Sequence, residues 1–342
     1  MKPENYKAAI YRGVGNVEVV ELPYPRCGDD DIIVRNLMAG ICGSDIGAYT
    51  RGGDMHMIWK DHEFGHEMIS EVVEIGKNVE GLKVGDYVFP NMGNAKRDRR
   101  RMATVGGFSE FIHIPKCEVG FSVIKVDKDI PLKSAVLLEP FVIGTRGAKG
   151  LNPGPGKTAI VFGAGIIGMS AALMFKWYGC EKVMVVDISD FRLERARSLG
   201  LLTCNPEKEN LKARAIEEFG KKISFGGEAC GADLYIDAVG AQAVIDQFAL
   251  LAGREASLGI IGVHHEPVTI NMLSLCYNNW HVNGCGNIPL ETAAVEVLEM
   301  MRSGKFDLSI LVSHVYRLEQ INEALAKANN PGECLKVCIS YV

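Results

Sequence analysis

The stretch from Thr158 to Asp187 constrains the fold of this chain more than any other part of the sequence. A short β-branched apolar run, residues 159–162, leads into a G-x-G-x-x-G turn. The glycines of this turn are Gly163, Gly165 and Gly168. An apolar helical segment follows, Gly179 interrupts it, and a second apolar run, residues 183–186, ends on an acidic residue. A strand, glycine turn, helix, strand and acid in about thirty residues predict a β-α-β unit of the Rossmann type that binds a dinucleotide.

Each glycine has a physical purpose in that interpretation. Gly163 allows a tight turn, Gly165 lets the backbone approach a pyrophosphate, and Gly168 lets the helix pack closely on the sheet. The first helical residues, Ile166 and Ile167, would offer N–H groups and the positive end of the helix dipole to the phosphates. The alternative is a glycine turn that serves packing alone, but the strands and the acid on either side favour nucleotide binding.

The acid at the end of the second strand predicts which dinucleotide binds. Asp187 lies 19 residues after Gly168, where a carboxylate can accept hydrogen bonds from the ribose hydroxyls of adenosine. The same negative charge would repel the 2′-phosphate of NADP, so we expect NAD. Arg192, five residues further on, is expected to line the adenosine pocket without reversing that preference.

Length and composition exclude several classes of protein. A chain of 342 residues is long enough for two domains. A net charge of -5 gives no general attraction to nucleic acid or anionic membranes. The N-terminus lacks an apolar signal core, and no apolar run reaches the roughly 18 residues of a membrane span. Ten scattered cysteines with no C-x-x-C pair indicate a reducing, cytoplasmic setting.

Strand and helix patterns divide the chain. From Lys7 to Phe121, short strands between Gly, Pro and Asp turns indicate a compact β-rich domain. From Pro153 to Val263, strands alternate with helices, which predicts a parallel, doubly wound sheet. We expect the C-terminal tail, ending in a strand at residues 335–339, to fold back onto the N-terminal domain.

Two short segments could hold a metal. Cys42 lies in a predicted turn, and His66 and Glu67 follow 24 residues later, so the chain offers a thiolate, an imidazole and a carboxylate. Neither segment is specific alone, but together they are a ligand set for a catalytic zinc with one open position. The overlapping H-E-x-x-H pattern from His62 to His66 predicts no protease, because that motif needs a helix and Gly65 interrupts it.

Four motifs in order carry a family resemblance. They are Cys42-Gly43-Ser44-Asp45, Gly65-His66-Glu67, Val84-Gly85-Asp86-Tyr87-Val88 and the turn from Gly163 to Gly168. Over essentially its whole length the chain resembles the zinc-dependent medium-chain dehydrogenases. Leu138-Glu139-Pro140 is similar to the sorbitol and threonine dehydrogenase branch, which has a glutamate where alcohol dehydrogenases have a cysteine ligand.

The resemblance implies an α/β protein with two domains. A β-rich GroES-like catalytic domain would comprise residues 1–150 and 285–342, with the doubly wound Rossmann domain, residues 151–284, inserted. The family also implies a homodimer or homotetramer and an active site in the cleft. One zinc would be held by Cys42, His66 and Glu67, with Glu139 beside it as an alternate ligand or as a hydrogen-bond partner of its water.

The implied reaction is hydride transfer from a secondary alcohol of a polyol, sugar derivative or hydroxy amino acid to NAD. Zinc would act on the alcohol oxygen as a Lewis acid. Ser44 would take the hydroxyl proton, and Asp45 would hold the second nitrogen of His66. Two rivals remain open: a zinc-free quinone or enoyl reductase on the same frame, and a protein that senses NAD(H) without turnover.

The chain departs from the family in three places. No cysteine lies between Cys42 and Cys117, so no structural zinc is expected; a basic run, residues 94–101, stands there instead. That run is interpreted as a solvated loop, with a phosphate site or a subunit contact as alternatives. Gly47 replaces a relay histidine of many relatives, so the proton must leave by water or by another group such as His56. Ala48 stands where sorbitol dehydrogenases have a tyrosine, which argues against sorbitol itself.

Overall fold

The computed structural model describes residues 2–284 and 288–342. It divides into two compact units: unit 1 comprises Met1–Glu139 and Leu290–Val342, and unit 2 comprises Pro140–Pro289. The sequence placed the first boundary about ten residues later, after residue 150, and the second after residue 284. The first boundary differs because most of the helix Leu138–Lys149 belongs with unit 2. Within that unit, the Ser170 hydroxyl donates to the Pro140 carbonyl at 3.1 Å.

The strands are, in chain order, β1 Asn5–Gly13, β2 Asn16–Pro23, β3 Ile32–Gly40, β4 His62–Glu63, β5 Glu67–Ile75, β6 Tyr87–Pro90, β7 Phe111–Ile114, β8 Val123–Val126, β9 Thr158–Phe162, β10 Lys182–Val186, β11 Leu202–Cys204, β12 Lys221–Ser224, β13 Gly227–Cys230, β14 Leu234–Asp237, β15 Ser257–Ile260, β16 His281–Gly284, β17 Val312–Arg317 and β18 Lys336–Ser340. The α-helices are α1 Gly43–Arg51, α2 Leu132–Ala135, α3 Leu138–Lys149, α4 Ile166–Trp177, α5 Asp190–Ser198, α6 Leu211–Phe219, α7 Gln242–Leu251, α8 Met272–Asn278, α9 Leu290–Arg302 and α10 Ile321–Ala328.

Unit 1 is the predicted β-rich domain. Its larger sheet runs in the order β17-β18-β3-β5-β6-β8, with β7 also paired to β3, and a smaller sheet runs β2-β1-β4. Apolar side chains of β3, such as Ile32 and Val34, are fully buried in the core of this unit. The C-terminal strand β18 pairs antiparallel with β3. The prediction that the tail folds back onto the N-terminal part is therefore confirmed.

Unit 2 is the predicted doubly wound domain. Its parallel sheet has the order β11-β10-β9-β14-β15-β16, so β9 and β14, adjacent in space, are distant in sequence. The order of the strands reverses between these two. In such sheets ligands bind beyond the carboxyl ends of the strands at the point of reversal. The glycine turn follows β9 and therefore lies at this edge.

Two local features differ from the sequence-based expectations. The segment from Gly43 was interpreted as a turn but forms helix α1, with Asp45 in its first turn. The antiparallel hairpin of β12 and β13 was not foreseen. Within residues 2–284 and 288–342, no helix has the length and apolar character needed to cross a bilayer.

Candidate active site

Helix α1 positions Cys42 at its N-terminal cap. One carboxylate oxygen of Asp45, Oδ2, accepts a hydrogen bond from the Cys42 backbone N–H at 2.9 Å. This contact satisfies a backbone donor at the helix start. It also fixes the backbone from which the Cys42 thiol projects.

His66 and Glu67 lie where a strand begins. Glu67 is the first residue of β5, and the preceding Gly65 has a φ of 90°, a conformation suited to glycine. His62 and Glu63 form β4 rather than a helix. The H-E-x-x-H pattern therefore lacks the helix that a zinc protease requires, as the sequence predicted.

The structure brings three of the predicted ligands together. The Cys42 sulfur, one His66 ring nitrogen and one Glu67 carboxylate oxygen all lie within 4.8 Å of one another. Ligand atoms around a tetrahedral zinc are roughly 3.3 to 3.8 Å apart, from the usual bond lengths. A modest contraction of the group would therefore give coordination distances.

Glu139 is close to this group but does not belong to it. The residue lies in the first turn of α3, belongs to unit 1 and is buried. Burial raises the pKa of its carboxyl to about 7; the negative charges of Glu67 and Asp45 add to the rise, and His66 and Lys336 oppose it. Glu139 thus shares the electrostatic environment of the three ligands.

Lys336 is a site residue that the sequence analysis missed. Its ammonium group forms a short ion pair with Glu67 Oε2 and donates to the Ile41 carbonyl at 2.8 Å. Both charged side chains are almost fully buried, at 2% and 1% exposure. Burial opposes the charge on Lys336, but Glu67 and Cys42 outweigh it and raise its pKa. A lone lysine within the apolar run of β18 was the available signal.

The donor set fits a divalent cation. Four acidic groups, Cys42, Asp45, Glu67 and Glu139, meet two basic ones, His66 and Lys336. Burial lowers the pKa of His66, but the acidic neighbours, Cys42 first, raise it well above its usual value. Acidic groups outnumber basic ones in this cluster, and a bound Zn²⁺ would stabilise their deprotonated forms.

The second nitrogen of His66 was expected to bond Asp45, and this expectation is wrong. His66 Nδ1 and Asp45 Oδ1 are each buried without a hydrogen-bond partner. The other Asp45 oxygen is committed to the cap of α1. Leaving a buried imidazole nitrogen and a buried carboxylate oxygen without hydrogen-bond partners is costly.

Gly47 faces a histidine from another segment. Gly47 and Ser44 lie three residues apart in α1 and so share one helix face. A Cβ placed at Gly47 would lie 2.2 Å from His56 Nε2. The His56 imidazole therefore occupies the space that a side chain at position 47 would need.

Two glycines of the turn in unit 2 have the geometry that the sequence predicted. Gly163 has a φ of 99°, and a Cβ on Gly168 would lie 1.8 Å from the Gly163 carbonyl oxygen. Asp187 Oδ2 accepts from the Ala164 N–H at 2.6 Å, and its other oxygen accepts from the Ser189 N–H. The carboxylate is thus fixed against the turn.

The remaining cofactor candidates surround this turn. Ile166 and Ile167 form the first residues of α4, whose N-cap is Gly165. The guanidinium of Arg192 lies 3.8 Å from the position a Cβ on Gly165 would take. Backbone N–H groups and one cation are therefore gathered beside the turn, which suits the phosphates of a dinucleotide.

A polar pair at the same edge was missed by the sequence analysis. Asp237 is fully buried at the end of β14, and its Oδ1 accepts from the N–H groups of Val239 and Gly240 at 2.9 and 2.8 Å. Its Oδ2 lies 2.8 Å from His264 Nε2. The signal was an acid at the end of a parallel strand, followed by a glycine.

Comparison with known families gives two matches. Residues 28–125 match the model described as "Alcohol dehydrogenase GroES-like domain", and residues 167–303 match "Zinc-binding dehydrogenase". The first match lies in unit 1 and contains Cys42, His66 and Glu67. The second begins inside the glycine turn.

Individual relatives align along almost the whole chain. A sorbitol dehydrogenase of Bacillus subtilis is 27% identical, over 98% of this chain and 98% of that protein. An L-threonine 3-dehydrogenase of Pyrococcus horikoshii is 28% identical, over 92% and 93%. The solved structure of 2R,3R-butanediol dehydrogenase from Bacillus subtilis matches with a TM-score of 0.84 at 21% identity, over 98% and 100%. At that identity the structural likeness establishes the fold.

Proposed function

The chain belongs to the zinc-dependent medium-chain dehydrogenase/reductase family, in its polyol dehydrogenase-like branch, and from that membership we propose which residues carry its chemistry. It is a zinc-dependent oxidoreductase of alcohols and polyols. The observation that carries the proposal is the convergence of the Cys42, His66 and Glu67 ligand atoms within 4.8 Å.

Cys42, His66 and Glu67 hold the catalytic zinc in this proposal. When bound there, zinc supplies Lewis-acid activation of the alcohol oxygen. Lys336 compensates part of the Glu67 charge and holds that carboxylate in place. Glu139, buried next to these groups, either enters the coordination shell or accepts a hydrogen bond from water bound there.

Ser44 takes the hydroxyl proton of the substrate, and His56 carries it onward. Position supports both assignments, because Ser44 follows the ligand Cys42 by two residues and shares a face of α1 with Gly47. His56 fills the space over Gly47. An imidazole can accept and release a proton near neutral pH.

The dinucleotide binds on the glycine turn of unit 2, with its phosphates on the N–H groups of Ile166 and Ile167. Asp187 favours NAD over NADP, since its carboxylate would repel a 2′-phosphate. A tenfold preference needs about 1.4 kcal/mol, which a clash between two anions exceeds. Arg192, close to Gly165, contacts the adenosine half.

We place one catalytic zinc and no structural zinc in each chain. Among the described residues, Cys42, His66 and Glu67 are the one group of three close metal-ligand side chains. Unit 1 contains the basic run at residues 96–101 where a cysteine cluster would be needed. The substrate class is a secondary alcohol of a polyol, a sugar derivative or a hydroxy amino acid.

Two further features belong to the proposal. A cytoplasmic setting is supported by nine cysteines that are all free among the described residues. A homodimer or homotetramer is supported by exposed apolar side chains on unit 2, including Phe225 stacked on Tyr277 with a centroid distance of 4.7 Å.

One experiment tests the core of the proposal. Metal analysis of the purified protein should give one zinc per chain, and alcohols from each substrate class should reduce NAD in a zinc-dependent manner. Full turnover after exhaustive chelation would instead favour a zinc-free reductase. Retained zinc with no turnover on any alcohol would favour a dinucleotide sensor. Equal efficiency with NADP would refute the role of Asp187.

A further inference from the structure

The basic run of unit 1, Lys96 to Arg101, contains five cations and one acid, and the structure divides these cations into two groups. Two of them have anionic partners. Arg100 donates from Nε and Nη2 to the two carboxylate oxygens of Asp98 at 3.0 and 3.1 Å. Arg101 donates to the Tyr6 hydroxyl at 3.0 Å and lies 3.5 Å from Glu63. These two charges are compensated locally.

The other three cations line one cavity. Lys96, Arg97 and Arg99 surround a space of about 530 Å³, to which Lys116 adds a fourth positive charge. Among the described residues that line this cavity, no side chain is acidic.

Three carboxylates near the cavity have partners other than these four cations. Asp98 is bound to Arg100, and Glu291 accepts from the amide of Asn94 at 3.3 Å. Asp31 accepts from the backbone N–H of Lys116, not from its ammonium group. None of these three carboxylates pairs with the charged group of Lys96, Arg97, Arg99 or Lys116.

The positive charge of Arg97 is not simply exposed to solvent. Its Nη2 donates to the Ala103 carbonyl at 2.9 Å, which holds the guanidinium in place. Its Nε is buried and has no hydrogen-bond partner. Burial and the charge of Arg99 lower the pKa of Arg97. A guanidinium held in place by such a bond presents its planar donors in a defined direction, which suits an oxyanion.

We propose that this cavity is a binding site for the phosphate group of a small molecule. A phosphate carries about −1.5 to −2 charges at neutral pH and several acceptor oxygens, so it can offset more than one of the four cations. The volume is within the range of small-ligand pockets, roughly 300 to 1,000 Å³. A nucleic acid would meet a chain of net charge -5 and a concave site rather than a basic face. This site is independent of the zinc and dinucleotide assignments.

Calorimetric titration of the zinc-loaded protein in chloride buffer tests the proposal. Inorganic phosphate and glycerol 2-phosphate, each up to about 10 mM, should bind saturably at one site per chain. If glycerol 2-phosphate binds more tightly than inorganic phosphate, the ligand is an organic phosphate. If the two bind with equal affinity, the ligand is free phosphate.

The matched variants are Lys96→Ala, Arg99→Ala and Arg100→Ala. Each removes one positive charge from the same run, but Arg100 is bound to Asp98 and does not line the cavity. We expect the first two to weaken binding at least tenfold and Arg100→Ala to change it less than twofold. Arg97→Lys keeps the charge but loses the planar donors, and should weaken binding as well.

Two results would overturn the site. One is the absence of saturable binding to the wild-type protein. The other is an equal loss for Arg100→Ala and Arg99→Ala, which would mean general charge attraction. Because Lys96, Arg99 and Arg100 are exposed, these three variants should fold, and circular dichroism before titration checks this.

Discussion

Gly40 shows how one residue without a side chain makes the metal site possible. It pairs with Glu67 across β3 and β5 and with Cys338 of β18 on its other side. A Cβ at Gly40 would lie 2.5 Å from Glu67 Oε2 and 3.4 Å from Lys336 Cδ. The buried ion pair therefore crosses the strand above Gly40, and any larger residue there would displace it.

Lys336 should be essential to stability because its partner is buried. Lys336→Met leaves Glu67 as an unpaired buried anion, so we expect the free energy of unfolding to fall by about 3 to 5 kcal/mol. Urea unfolding of the chelator-treated protein measures this. Lys125→Met is the control: Lys125 is half exposed in its pair with Asp86, and its loss should cost about 1 kcal/mol or less. Glu67→Gln combined with Lys336→Met should recover much of the loss, and a change below 1 kcal/mol in Lys336→Met would contradict the argument.

The position of His56 over Gly47 predicts that His56 carries the proton, and that a histidine at position 47 could take over this role. His56→Ala should lower kcat for alcohol oxidation by about a hundredfold, the lower end for a general base, and added imidazole should restore part of it. Gly47→His alone should destabilise the chain, because its Cβ would overlap the His56 ring. The double variant, Gly47→His with His56→Ala, should regain both stability and turnover.

His62 provides the control for that experiment. Its Nδ1 lies 2.8 Å from the Lys60 carbonyl, and it is outside the proposed relay. His62→Ala should therefore leave kcat unchanged. Unaltered turnover in His56→Ala at every pH tested would show that water alone carries the proton out.

At the scale of elements, Asp31 ties three segments of unit 1 together. Its Oδ1 accepts from the backbone N–H of Lys116, and its Oδ2 accepts from that of Gly28, both at 3.0 Å. The same Oδ2 lies 2.8 Å from His113 Nε2 in β7. Burial raises the pKa of Asp31, but these hydrogen bonds and His113 outweigh it, so the pKa is lowered overall.

That lowered pKa predicts a pH-dependent effect of Asp31→Asn. At a pH above about 3.9, the pKa of this carboxyl in the unfolded chain, the stabilisation by the carboxylate is fully present. It is lost as the pH falls through the lower pKa of the folded state. We expect a cost of about 1 to 3 kcal/mol at pH 7 and a difference from wild type that narrows below about pH 4. Asp61→Asn, which removes an exposed partner of Arg12, should have little effect. A constant difference down to pH 2 would refute the assignment.

The elements that could be predicted are those that depend on residues close together in the sequence. The β9–α4–β10 unit could be predicted because glycine turns and apolar periodicity act within about thirty residues. Helix α1 could not, because Cys42-Gly43-Ser44-Asp45 reads as a turn until Asp45 is seen to cap the Cys42 N–H. The short hairpin of β12 and β13 is polar and half exposed, so it lacks the alternation that marks a strand.

At the scale of the whole molecule, the missed contacts are those between distant segments. Lys336 meets Glu67 across 269 positions, and His264 meets Asp237 across 27. Such pairings depend on strand order, which a single sequence does not specify. The ligands Cys42, His66 and Glu67 could be proposed because their residue types and spacing are typical of a known family. Their mutual distance could come only from the folded chain.

The two units should respond to different ligands, and hydrogen exchange can separate the responses. Zinc should protect amides near its three ligands, in residues 40–46 and 64–69, together with β18. NADH should protect the glycine turn and the residues after β10. At a free concentration of about a hundred times its Kd, each ligand stabilises the folded protein by roughly 2.7 kcal/mol. Amides that exchange only through an opening that releases the ligand should therefore exchange about a hundredfold more slowly. Cys42→Ala should lose only the zinc effect, and Asp187→Ser should weaken only the NADH effect. Zinc protection confined to unit 2, or NADH protection unchanged by Asp187→Ser, would show that the sites are wrongly assigned.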